Sequence, residues 1–118
     1  MSKVVSWSLQ MSVREGRLED AKALVREMVE ATREERGALI YEYFLSDDGK
    51  SCHIYERYAD SDAVMAHLGH FGANFADRFM ACFEATSFSV YGPVSDEARG
   101  ALDGFGAAYL GTLAGFSR

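Results

Sequence analysis

The chain is poor in the residues that mark several protein classes. It has one proline, Pro93, and two cysteines, Cys52 and Cys82, among 118 residues. A single proline excludes a proline-rich extended linker. Two cysteines outside any C-x-x-C pair exclude a disulfide-dense secreted scaffold, and they are expected to be buried thiols in a reducing compartment. Basic residues are also scarce: twelve Lys/Arg against eighteen Asp/Glu leave a formal charge of -6. Such a chain is repelled by phosphate backbones and anionic lipid, so neither nucleic acid nor a membrane surface is an expected partner. No apolar run approaches the roughly 18 residues needed to span a bilayer. Near the N-terminus Ser6, Ser8, Gln10 and Ser12 interrupt the apolar residues at every second position, a strand pattern and not a signal peptide, and the expected location is the cytoplasm. What is there is a globular composition, 48% hydrophobic and 25% charged. Its length fits a single domain over residues 1–118 with no room for a separate cofactor-binding module.

Val5, Trp7, Leu9, Met11 and Val13 alternate with polar residues and predict a strand over residues 4–13. After Gly16, Leu18, Ala21, Val25, Met28 and Val29 recur at helical spacing, predicting a long amphipathic helix. The run Arg33-Glu34-Glu35-Arg36 reads as its solvated last turn and Gly37 as its stop. A strand over 38–45, the turn Asp47-Asp48-Gly49 and a strand over 52–59 form a hairpin. Asp60 or Ser61 caps a second helix, which Gly69 and Gly72 are expected to interrupt before a further helical stretch through Phe75, Phe79 and Cys82. A last strand over 86–91 ends at Gly92-Pro93. The order is β-α-β-β-α-β, an α+β ferredoxin-like unit over residues 4–92. Residues 93–118 are a C-terminal extension that opens on a helix start, Ser95-Asp96-Glu97, and continues as a Gly/aromatic arm expected to pack on the core or on a partner chain. Gly104-Phe105-Gly106 lacks the third glycine and the lysine of a phosphate-binding loop.

The strand over 38–45 is apolar on both faces, with Leu39, Tyr41, Tyr43 and Leu45 on one, Ala38, Ile40 and Phe44 on the other, and only Glu42 polar. A sheet with helices on one side ordinarily keeps one wet face, so the second apolar face predicts a homodimer with the two sheets in contact.

Gly37, Tyr41-Glu42, Tyr55-Glu56-Arg57-Tyr58, Ser61, Ala63, His67-Leu68 and His70-Phe71, together with the turn Val13-Arg14-Glu15-Gly16, resemble the antibiotic biosynthesis monooxygenase family over roughly residues 4–91. The resemblance implies a dimeric α+β barrel of two ferredoxin-like sheets. It also implies, for the better-known members, oxidation of phenol- or quinol-like rings by dioxygen without metal or flavin. Other members degrade haem, and one branch isomerises a phosphorylated sugar-like signal. The haem-degrading branch is expected to use an Asn on its first strand and a Trp and a His on its second helical region. Leu9 and His67 occupy the corresponding positions here, which disfavours haem.

His67 and His70 are three apart on one helix, and Glu56 lies on the strand leading into it. A carboxylate bonded to one nitrogen of His67 fixes its tautomer and leaves the other to take a proton from a phenol-like substrate, with His70 as a second acid/base or donor. The bland alternative is that Glu56 merely satisfies His67 at a helix–sheet seam. Trp7, Tyr58, Phe71 and Phe75 either line an apolar substrate cleft or are core. Asn74 and Arg78, four apart, either hydrogen-bond a substrate oxyanion or are solvated. A metal site would need a third ligand from Cys52, His53 or Glu56, and no metal-ligand spacing is present. The expected function is therefore a cofactor-independent monooxygenase acting on a small aromatic substrate with dioxygen. A non-catalytic dimeric small-ligand binding protein and an isomerase of a small hydroxy-ketone are the alternatives.

Overall fold

In the computed structural model, which describes residues 2–118, the chain runs β1 (Val5–Val13), α1 (Leu18–Arg33), β2 (Ala38–Leu45), β3 (Ser51–Tyr58), α2 (Ser61–Asn74), α3 (Ala76–Cys82), β4 (Phe83–Tyr91), α4 (Asp96–Leu102), a 3-10 turn (Asp103–Phe105) and β5 (Ala108–Leu110). The sheet order is β2-β3-β1-β4-β5. The first three pairings are antiparallel and β4–β5 is parallel. This is a ferredoxin-like α+β unit whose sheet the C-terminal segment extends to five strands.

The period-two pattern decides which face is buried. Along β1 Val5, Trp7 and Met11 are buried, and their partners across β3, Tyr58, Glu56 and Cys52, share that face. Two bulges adjust the pattern. One lies between Gln10 and Met11 opposite Thr86, whose hydroxyl donates to the Gln10 carbonyl at 3.1 Å. The other lies at Ala38–Ile40, and it corrects the expected faces of β2. Ala38 pairs with Tyr58 and Tyr41 with Glu56, so both look inward, whereas Leu39 is bulged out and exposed.

Helix α1 buries Ala21, Leu24, Met28 and Thr32 against the sheet. Ala21, Leu24 and Met28 join Met11, Ile54, Phe79 and Phe83 in one half of the core; Trp7, Tyr58, Val64, Phe88, Val90, Ala98 and Leu102 lie in the other. Helix α4 therefore packs within its own chain. Asp60 caps α2 by accepting from the Ala63 amide at 2.8 Å. The expected interruption at Gly69 and Gly72 does not occur: α2 runs through both and breaks only at Phe75. Each interior glycine costs a helix about 1 kcal/mol, which the burial of Val64 and the packing of Leu68 and Phe71 on the core offset. Strand β4 starts at Phe83, three residues before the expected strand, because the bulge at Thr86 hides the alternation of its first half.

Cys52 and Cys82 are free and buried, and burial pushes the Cys52 thiol up to about 11. Among the described residues no helix is long and apolar enough to cross a membrane, and no three His, Cys, Asp or Glu side chains are grouped to hold a metal ion.

Candidate active site

Along the inner face of β3 the residues read Cys52, Ile54, Glu56, Tyr58, one carboxylate in an otherwise weakly polar row. Glu56 is only 5% exposed. A buried carboxylate persists only if donors replace its lost water, and three do so here. Trp7 Nε1 on the neighbouring strand donates to Oε2. The Tyr58 hydroxyl donates to Oε1 at 2.5 Å. His67 Nε2 lies 3.3 Å from Oε1. Burial first, and then the charge of Glu56, push the Tyr58 hydroxyl far above its ordinary range, so it stays a neutral donor. The same two causes raise Tyr41.

His67 is held from both sides. Its Nδ1 lies 3.0 Å from Glu35 Oε1 and 3.3 Å from Oε2, while its Nε2 faces Glu56. Its ring packs 5.1 Å from that of Tyr58 and 5.4 Å from that of Tyr41. Burial works against the imidazolium. The hydrogen bond and charge of Glu56, followed by those of Glu35, outweigh it and raise His67 above its ordinary 6.5. A carboxylate beside each nitrogen favours the charged form of His67, in which both nitrogens carry a proton.

Glu35 is the residue that reading the sequence missed. It belongs to the charged run taken as solvated helix surface, but α1 ends at Arg33 and the Glu35 side chain is 11% exposed. The turn carrying it lies against α2 because Gly37 has no side chain: a Cβ there would stand 2.4 Å from that of Ala63. The only signal in the sequence was this small pair, Gly37 and Ala63, which permits the close approach without naming the carboxylate it delivers. Glu35 also reaches outward, its Oε2 lying 3.3 Å from Nδ1 of the exposed His70.

Glu56 and His67 border a cleft between sheet and helices that Trp7, Tyr41, Phe71 and Phe88 also line. It has about 460 Å³ of unfilled space counting its mouth, of which about 50 Å³ can hold the centre of a water molecule. Tyr41 and Tyr43 share a hydrogen bond at 2.9 Å on its wall, and the Tyr43 hydroxyl lies 3.8 Å from Met28 Sδ.

The remaining expected residues lie elsewhere. His70 meets the cluster only through Glu35. Tyr58 touches the cluster from the core. Phe75 packs on the half of the core around Met11 and Phe79. Asn74 and Arg78 do not share a helical face, because the chain turns at Phe75 between them. Asn74 donates to the His70 carbonyl at 2.9 Å, and exposed Arg78 pairs with Glu27.

The family model for antibiotic biosynthesis monooxygenase matches residues 6–83. No curated protein matches the chain significantly. Among solved structures, MupZ from Pseudomonas fluorescens is 24% identical with a TM-score of 0.87, over 99% of this chain and 96% of that one. A mutant of SnoaB, described as a cofactor-independent oxygenase from Streptomyces nogalater, is 14% identical with a TM-score of 0.67, over 80% and 96%. Rv0793 from Mycobacterium tuberculosis is 23% identical with a TM-score of 0.59, over 79% and 97%. At these identities the likeness is one of fold.

Proposed function

Because the chain belongs to the antibiotic biosynthesis monooxygenase family, we propose that it is a cofactor-independent monooxygenase that oxidises a small phenol- or quinol-like ring with dioxygen. The observation that carries this reading is a buried Glu56 carboxylate, held by three donors and bordering an apolar cleft. A carboxylate has about four acceptor positions. Three are used here, and the position left is on Oε2, which receives only Trp7. Glu56 is therefore the base, and His67, with both nitrogens engaged, is the residue that positions and balances it. This exchanges the roles expected from the sequence.

The substrate hydroxyl gives its proton to Glu56, and His67 offsets that gain by releasing its Nδ1 proton through Glu35 toward exposed His70. The electron-rich anion left in the cleft donates electrons to dioxygen. The O–O bond breaks, one oxygen atom replaces a ring hydrogen as a carbonyl and the other leaves as water with that hydrogen and the hydroxyl proton, so that phenol and dioxygen give quinone and water and the substrate itself is the reductant. Exclusion of bulk water by the apolar wall protects the reactive anion. SnoaB, described as a cofactor-independent oxygenase, has the same fold, which supports this chemistry.

An oxygen electrode tests the proposal with metal-free protein and a panel of phenols and quinols. Uptake is expected with at least one of them, falling about 100-fold or more in Glu56→Gln. Wild-type rates in that variant would remove Glu56 from the mechanism. A second reading, acid–base isomerisation of a small hydroxy-ketone, is favoured by one observation: every polar group on the cleft is a proton donor or acceptor and none is specific to dioxygen. Turnover that persists without oxygen would select it.

The working unit proposed is a homodimer. Leu39 and Phe44 on β2 are exposed, as are Phe116 and the 99% exposed Leu113 of the C-terminal arm, large apolar side chains that a second copy of the chain would cover. Sedimentation is expected to give twice the 13.0 kDa chain mass; a monomer at micromolar concentration would overturn this.

A further inference from the structure

One wall of the cleft comes from outside the matched family core. The family match ends at residue 83, yet Leu102 at the end of α4 and Phe105 in the 3-10 turn both line the cleft. The Phe105 ring stands edge-on to that of Phe88, 6.5 Å away at 90°. Phe105 itself is 42% exposed, so it both meets solvent and lines the cleft.

This wall is anchored on both sides. Before it, Ala98 and Leu102 bury α4 in the core. After it, Gly106 at φ +77 turns the chain through a conformation that side chains disfavour, and β5 then pairs with β4. Tyr109 on β5 reaches back: its hydroxyl lies 2.6 Å from Asp103 Oδ1 and 3.1 Å from the Arg99 carbonyl, and the Arg99 guanidinium stands 4.4 Å from its ring. A wall held in this way selects by size. Glu56, which lines the same cleft, supplies its acceptor.

Resting on the reading of the cleft as the substrate site, we propose that Phe105 is the size-determining residue: the cleft takes a single-ring aromatic alcohol, its hydroxyl at Glu56 and its apolar edge against Phe105, and rejects a fused bicyclic one. A second fused ring needs the space the Phe105 side chain occupies. Neither Leu102 nor Phe105 offers a polar side chain, so a substrate tail that needs hydrogen bonds is rejected there as well.

Fluorine NMR with para-fluorophenol and a fluoronaphthol tests this on the intact protein without turnover. The wild type is expected to bind the fluorophenol about tenfold more tightly than the fluoronaphthol. Phe105→Ala is expected to raise fluoronaphthol affinity about tenfold with little change for the fluorophenol, and Phe105→Leu to fall between the two. Native near-ultraviolet dichroism and Trp7 fluorescence of both variants report that the fold is retained. An unchanged preference in folded Phe105→Ala overturns the role of Phe105 while leaving the cleft as the site. Failure of the fluorophenol to bind the wild type overturns the cleft reading, and this proposal with it.

Discussion

Glu56→Ala is expected to lower the unfolding free energy by about 3–5 kcal/mol, a large share of the roughly 5–15 kcal/mol typical of a domain. The substitution removes an anion that three buried groups address, the Trp7 indole, the Tyr58 hydroxyl and the His67 imidazolium. Water cannot replace it, because Tyr58 is fully buried and Trp7 nearly so. The donors then bear the desolvation cost of unmade bonds, and His67 keeps only Glu35 as counter-charge. Glu56→Gln preserves volume and one acceptor oxygen but turns an amide toward a donor, and its expected cost is smaller, about 1–3 kcal/mol. Urea unfolding of the wild type and both variants measures the difference. A Glu56→Ala loss under about 1 kcal/mol would mean that the carboxylate does not anchor this cluster.

His67 should make stability depend on pH in a definite direction. Its folded value lies above its ordinary 6.5 because Glu56 and Glu35 together outweigh burial. Below about pH 6.5 the imidazole is charged in both states, and its contribution is complete. Between that value and the raised one, the folded chain holds a proton that the unfolded chain has released, so the contribution declines as pH rises, and beyond the raised value it is lost. Each unit of separation corresponds to about 1.4 kcal/mol. The stability gap between wild type and His67→Gln should therefore be widest in mild acid and narrow toward alkaline pH. Imidazole nitrogen NMR should find His67 doubly protonated at neutral pH, and in Glu35→Gln its value should drop. A stability gap independent of pH, or a His67 that titrates below 6.5, would contradict the pairing with two carboxylates.

Much of the fold was legible because its signals are local. The alternation Val5, Trp7, Met11 follows from the two-residue period of a strand, and the α1 stripe from the 3.6-residue period of a helix. Errors arose where a local rule met a tertiary contact. Gly69 and Gly72 look like breaks by propensity, but packing of Val64, Leu68 and Phe71 on the core carries α2 through them. A bulge at Leu39 and another at Thr86 shift the alternation by one residue, and an unaligned sequence has no marker for either.

The candidate site divides in the same way. Glu56 and His67 stood out because a strand carrying a carboxylate leads into a helix carrying two histidines three apart, and the structure does bring the two within 3.3 Å. Asn74 and Arg78 looked paired only on the assumption of one continuous helix, which ends between them.

By itself, the sequence determined the β-α-β-β-α-β order, the inward face of β1, and the presence of a carboxylate on β3 and an imidazole on α2, because these depend on spacing within one element. Only the tertiary structure decided that Glu35 turns inward onto His67 across 32 residues and that Phe105 lines the cleft beside Phe88. The first contact depends on how closely a glycine lets two segments approach, and the second on where a C-terminal helix finds apolar surface to bury. Both are properties of packing between elements, which no periodicity along the chain records.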